Sequence, residues 1–340
     1  MPALSDLLAR RGVLLADGAT GTNLFDMGLT SGDAPELWNL EEPEKVRALH
    51  RGFVEAGADI ILTNTFGANA PRLKLHGAQG RVREINEVAA RLVREVAQES
   101  DREVVVAGSV GPTGELFEPL GELTAEAAVA AFAEQMEGLA AGGADVAWIE
   151  TMSAREEIEA AAEAARAVGL PYIFTASFDT AGMTMMGVAP ASLAEIAAAM
   201  DPPPVAVGAN CGVGASDLLA AVLQMTQGPV PVAVIAKANC GIPQVSGDAV
   251  VYSGTPDLMA DYARLAVDAG ATIVGGCCGT SFEHLAAMRR ALDEHSRGER
   301  PDLSRIRDAT GAFVNSVGGV DADGRTRRTG RREGGGRRRR

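Results

Sequence analysis

Four cysteines carry the most pointed chemistry in this 340-residue chain. Cys277 and Cys278 stand side by side in VGGCCGT, Cys211 lies in GANCGVG, and Cys240 in KANCG. An isolated glycine-flanked pair has ordinary readings: two small buried hydrophobes at a turn, or a vicinal disulfide. A third cysteine at another glycine-rich turn shifts the balance, because three thiolates from converging loops make up most of the four-ligand shell that Zn²⁺ takes. The four histidines, His50, His76, His284 and His295, fall on helical segments or surface-like turns, so a His-rich site that activates water is disfavoured. Three thiolates would leave the metal with a net charge of about −1, a poor electrophile that still lowers the pKa of an incoming thiol. The natural reaction is thiol alkylation, in which a bound thiolate attacks a methyl group on a good leaving group.

Such a thiol substrate has to be held by its other end. Asp17 in DGATGT and Glu150 in IETMS can take an ammonium, and backbone N–H groups of the DGATG turn can take a carboxylate. An amino-acid thiol fits that set. Asp17 has the alternative of a turn or helix-cap role, and Glu150 that of an ion pair with Arg155.

These residues share one kind of position. Eight short runs rich in Val, Ile and Ala are read as strands: Val13 to Ala16, Asp59 to Leu62, Val104 to Ala107, Val146 to Ile149, Ile173 to Ala176, Val205 to Gly208, Val232 to Ala236 and Thr272 to Val274. Their apolar residues do not alternate, which fits parallel strands covered on both faces. Helix-like stretches separate them, several ending at Gly. Eight β-then-α units predict an α/β fold, a single (β/α)8 TIM barrel, whose active site lies where the strands end. Asp17, Asn64, Ser109, Glu150, Ser177, Asn210, Asn239 and all four cysteines follow directly on such runs. An open doubly wound sheet is the runner-up, but DGATGTNL is not the GxGxxG that such a sheet carries after its first strand.

Composition bounds the rest. With 46% hydrophobic and 22% charged residues, the chain can bury a sizeable core. The barrel is expected over residues 1–300, a C-terminal extension of at most a short helix and loop over 301–320, and a disordered, basic, Arg/Gly-rich tail over 321–340. From Arg325 onward there are nine arginines and one glutamate; setting these apart from the formal −14 leaves roughly −22 for residues 1–324. An acidic body of that kind repels nucleic acid and anionic lipid, so a small-molecule partner is expected and a nucleic-acid partner is not. There is no signal-peptide pattern at the start and no apolar run of roughly 18 residues, so a cytoplasmic protein without a membrane partner is expected. Four cysteines are too few for a disulfide scaffold at this length.

Over residues 10 to about 295, the motifs DGATGT, TNTFGAN, GSVGPTGE, ANCGVG and GGCCGT resemble the zinc-dependent homocysteine S-methyltransferases. That family includes the homocysteine module of cobalamin-dependent methionine synthase, betaine-homocysteine methyltransferase and the S-methylmethionine-using enzymes; all make methionine on a (β/α)8 barrel. The resemblance implies Cys211, Cys277 and Cys278 as zinc ligands, with Asn239 as a weak fourth ligand displaced by substrate sulfur. It implies Asp17 and Glu150 as contacts to the homocysteine amino group, and the amides near Ala19 and Thr20 as contacts to its carboxylate. Cys240 departs from the pattern, since the methionine-synthase module usually has alanine there; it is either a spare core thiol or an alternative fourth ligand.

About forty residues follow the last barrel helix, so the methyl donor is expected from outside the chain. DGATGTNLFDMGLTSGDAPELWNL and SFDTAGMTMMGV look most like bacterial proteins of the betaine-homocysteine branch, which makes glycine betaine the first choice. Trp38 matches the cage tryptophan of the animal betaine enzymes, but Gly67 and Thr151 stand where those enzymes bear tyrosine, and aromatics are only 4% of the chain. A separate methyl-corrinoid protein is the second choice and S-methylmethionine the third. A reading from another class is a non-catalytic, zinc-stabilised barrel that uses its Arg-rich tail as an interaction arm.

Overall fold

The structure, a computed structural model, describes residues 4–246 and 249–315. All eight expected strands are present: β1 Leu14–Leu15, β2 Ile60–Leu62, β3 Val105–Val110, β4 Val146–Met152, β5 Tyr172–Ala176, β6 Ala206–Cys211, β7 Ala233–Ala238 and, after a hairpin of β8 Pro243–Ser246 and β9 Ala249–Tyr252, β10 Ile273–Gly276. They form one parallel sheet in the order β1-β10-β7-β6-β5-β4-β3-β2. A parallel bridge between Ala16 and Ile60, with Asp17 N donating to Ile60 O at 3.0 Å, joins the last edge to the first and closes a (β/α)8 barrel.

Strand residues are buried on both faces because two cores meet at the sheet. One fills the barrel, with Leu14, Ile60, Val105, Val146, Trp148, Ile173, Ile235 and Ile273 pointing inward; the N-terminal helix Leu4–Arg11 plugs its base with Leu4 and Leu7. The other lies between the sheet and its surrounding helices and takes the intervening residues, Leu15, Ile61, Val106, Ile149 and Val274 among them. Apolar runs without alternation are therefore what this closed sheet requires.

Two differences from expectation matter for the site. Strands β3, β4 and β6 run on through Ser109, Glu150 and Cys211, so these are strand residues and not loop residues: Ser109 and Cys211 sit in register with Trp148 and Ala238, and Glu150 lies at an irregularity between the Ile149 and Met152 pairings with β5. The antiparallel β8–β9 hairpin was not among the expected strands; a Pro at its start argues against a central strand. No described helix is long and apolar enough to cross a membrane.

Within the expected extension, helix Leu303–Thr310 packs on the barrel helices. Ser216 Oγ donates to Gly311 O at 2.8 Å, and Asp217 accepts from the amides of Val314 and Asn315. The remainder of that extension, residues 316–320, and the Arg/Gly-rich tail over 321–340 lie outside the described residues.

Candidate metal and substrate site

Cys211 ends β6, and Cys277 and Cys278 follow β10, so chain closure brings together residues that are 66 or more positions apart. The three sulfurs lie within 4.8 Å of one another, with Cys211 Sγ 3.9 Å from Cys278 Sγ. The turn that presents the pair needs its glycines: a Cβ on Gly276 would stand 2.3 Å from the Thr280 side chain. Gly279, at φ +80°, has Tyr252 packed where its Cβ would be. Backbone bonds lock this turn, from Cys277 N to Ala238 O at 2.6 Å and from Cys240 N to Cys278 O at 2.9 Å. Three thiols this close, with no histidine or carboxylate joining the cluster among the described residues, form a donor set suited to Zn²⁺.

The cysteines belong to the wall of a cavity of about 430 Å³ at the C-terminal end of the barrel. Ala19, Thr20, Ser109, Glu150, Thr151 and Lys237 also line it, and Phe25 and Phe66 stand at its outer rim, partly exposed. Glu150 is buried and accepts from Ser109 Oγ at 2.5 Å; Arg155 pairs with Glu159 instead, so the alternative of a Glu150–Arg155 ion pair is not realised. Burial pushes the Glu150 carboxyl up to about 7 and that of Asp17 up to about 6, while Lys237 pulls both the other way.

Asp17 does not line the cavity. It is buried behind the wall, where Oδ2 accepts from Leu62 N at 2.8 Å and Oδ1 lies 3.3 Å from Lys237 Nζ. Neither the turn nor the cap alternative describes its side chain. Lys237 was not singled out in the sequence, although a lysine inside the apolar run AVIAKA, near the end of a strand buried on both faces, is a signal that could have found it. Burial works against its ammonium, yet Asp17, Cys277 and Glu150 together hold its pKa above the ordinary lysine value.

The backbone at the strand ends is strained. Thr151 and Cys211 both have φ of +61°, a region that L side chains rarely adopt. Asn210 braces them: its Oδ1 accepts from Thr151 N at 2.8 Å and its Nδ2 donates to Thr151 Oγ1 at 2.7 Å, tying the end of β6 to that of β4. The residue after Glu150 and the first metal-type cysteine are thus fixed relative to each other.

Asn239 bridges the two cysteine loops, donating to Gly212 O at 2.7 Å and accepting from Cys278 N at 3.1 Å. Cys240 is fully buried and packs against Gly254 outside the three-sulfur cluster; burial pushes its thiol up to about 11, as for a core thiol. The Ala19 amide is committed to Thr280 O at 3.1 Å, while Thr20 faces the cavity. Trp38 is buried, is not among the lining residues, and carries the Lys45 ammonium 4.4 Å from its ring centroid. A Cβ at Gly67 would lie 2.8 Å from Glu36 Oε1, so the site has no room there for a cage aromatic without a shift of that carboxylate. Tyr252, brought in by the unexpected hairpin, packs on the cysteine turn beside Cys278.

Comparison with known proteins agrees with this geometry. The chain is 30% identical over 315 residues to methionine synthase of Mycobacterium tuberculosis and 29% identical over 316 residues to that of Mycobacterium leprae. These matches take in 87% and 88% of the chain but only 26% of each relative, so the chain spans about a quarter of their length. Among solved structures, the homocysteine methyltransferase MmuM of Escherichia coli aligns in its oxidized form with a TM-score of 0.69 and 27% identity, over 84% of this chain and 97% of that one. Its metallated form aligns with a TM-score of 0.68, also at 27% identity, over 84% of this chain and 98% of that one. The family model described as homocysteine S-methyltransferase matches residues 14–292, from β1 through the helix after the paired cysteines, and the chain belongs to that family.

Proposed function

We propose that this protein is a zinc-dependent homocysteine S-methyltransferase that forms methionine. The observation that carries the reading is the placement of three thiols, within 4.8 Å of one another, on the wall of the same cavity that Glu150 and Lys237 line. Cys211, Cys277 and Cys278 would hold the zinc, whose contribution when bound is to acidify a thiol placed next to it. The protein's own residues orient the substrate. Glu150 receives the amino group, Ser109 fixes the Glu150 carboxylate, and the Asn210–Thr151 brace keeps that carboxylate in register with Cys211. Thr20 lines the cavity, and its backbone amide is the turn donor offered to the substrate carboxylate in this reading; Asp17 acts from behind the wall by anchoring Lys237. Asn239 would reach a metal as a weak resting ligand only by exchanging its bond from Cys278 N.

For the donor, glycine betaine is supported less by the fold than by the sequence texture. A quaternary ammonium needs open aromatic faces, whereas Trp38 is already covered by Lys45 and a Cβ at Gly67 would crowd Glu36. A methyl group presented by a separate corrinoid protein needs no cage. Phe25, on the short helix after β1, and Phe66, on the loop after β2, are exposed at the cavity rim, and Leu116, Leu120 and Met185 are exposed on loops that follow other strands; these apolar side chains suit a partner at the mouth. We therefore place a methyl-corrinoid partner first, betaine second and S-methylmethionine third. The test is methionine formation by zinc-loaded protein from homocysteine with methylcobalamin, betaine or S-methylmethionine. Turnover with methylcobalamin is expected, turnover with betaine alone would reverse the order of donors, and turnover with none of the three would sink the enzymatic reading.

A further inference from the structure

The cavity holds one buried cation, and nothing in the methyl-transfer reading uses it directly. Lys237 Nζ is engaged by Gly18 O at 3.2 Å and by the Asp17 carboxylate at 3.3 Å. An ammonium carries three donors, so one is left over, and of this ion pair only Lys237 lines the cavity. Gly18 begins the turn whose amides a substrate carboxylate would meet, and the Ala19 amide of that turn is already spent on Thr280 O. The turn therefore offers fewer free donors than its sequence promises, and a charged donor sits against it.

We propose that Lys237 reads the carboxylate of the amino-acid thiol, while Glu150 reads its ammonium. Asp17 is then a positioning residue that aims Lys237 and does not itself touch substrate. The proposal rests on the homocysteine reading and sharpens it: the pocket selects zwitterionic α-amino acids through two opposite charges on β7 and β4.

The decisive comparison uses two thiols, homocysteine and its decarboxylated analogue 3-aminopropanethiol, with binding to the zinc-loaded protein measured by calorimetry. Wild type should bind homocysteine more tightly. Lys237→Met should lose about tenfold to a hundredfold in homocysteine affinity, the worth of one charge-assisted hydrogen bond, and leave the analogue within about twofold. Because Lys237→Met strands the buried Asp17, the double variant Asp17→Asn, Lys237→Met is measured beside it; it removes both charges, should keep the zinc content and melting temperature of wild type, and should show the same selective loss. Equal weakening of both thiols in the double variant would mean that Lys237 acts on the sulfur or on the fold, and no weakening of homocysteine would mean that the turn amides suffice; either result overturns the proposal. Failure of zinc-loaded wild type to bind either thiol would instead overturn the homocysteine reading itself.

Discussion

Buried carboxylates at the two ends of the barrel are treated in opposite ways. At the base, Asp59 precedes β2 and is fully enclosed by Arg11, by Arg102 at 2.8 Å, by Arg289 at 3.1 Å and by the Leu15 amide at 2.9 Å. At the mouth, Glu150 has only the Ser109 hydroxyl as a hydrogen-bond partner among the described residues, and behind the wall Asp17 has the Leu62 amide and one lysine. The base charge is over-compensated, which serves stability. The Glu150 charge is under-compensated, which leaves it free for a charged ligand and costs stability in its absence. The difference follows the barrel's division of labour, with the N-terminal face holding the fold and the C-terminal face holding the chemistry.

Four substitutions or conditions test this contrast. Cys277→Ala should have the largest effect at the mouth: zinc content falls from about one per chain to near zero and methionine formation disappears, since one site needs all three thiolates. Metal analysis together with the methionine assay checks it, and full occupancy with normal turnover would remove the central claim. At the base, Asp59→Ala should cost about 3 kcal/mol, because three guanidinium groups lose a shared buried partner. It should lower the melting temperature by several degrees without changing homocysteine affinity at a temperature where the variant is folded; a wild-type melting curve would show that the base network is not a stability device.

Glu150→Gln should do the reverse. It is expected to weaken homocysteine binding by about tenfold while leaving the melting temperature unchanged or raised, because a desolvated acid is replaced by a neutral isostere. The smallest effect is one of pH on the metal-free protein. Burial lifts Asp17 to about 6 and Glu150 to about 7, so the folded chain keeps these protons after the unfolded chain has released them, and stability drawn from the two groups falls as pH rises from about 4 to 7. The melting temperature of Glu150→Gln relative to wild type should accordingly climb between pH 5 and 7.5; a flat difference would mean that Glu150 is not strained by its burial.

How much of this was legible in the sequence differs between the frame and the site. A strand covered on both faces must be apolar at consecutive positions, and that requirement is local, so the eight runs and their closure into a barrel can be read directly. The cysteines were legible for a similar reason: thiols at the ends of sixth and eighth strands have to meet at one mouth. Direction and partnership were not legible. Asp17 is a strand-end acid by position, but barrel closure turns it behind the wall and onto Lys237. Trp38 has the right residue type for a cage, yet Lys45, seven residues on, covers its ring. Cys240 shares its motif with Asn239, but its sulfur packs into the core against Gly254. The Ala19 amide looks free in DGATGT until Thr280, 261 residues later, takes its hydrogen. The amino-acid sequence by itself determined which groups reach the barrel mouth, because strand patterning and strand ends are properties of neighbours along the chain. Only the tertiary structure decided which of those groups are already satisfied and which remain available to a ligand, because hydrogen bonds and ion pairs at the mouth join segments that only the closed barrel brings into contact.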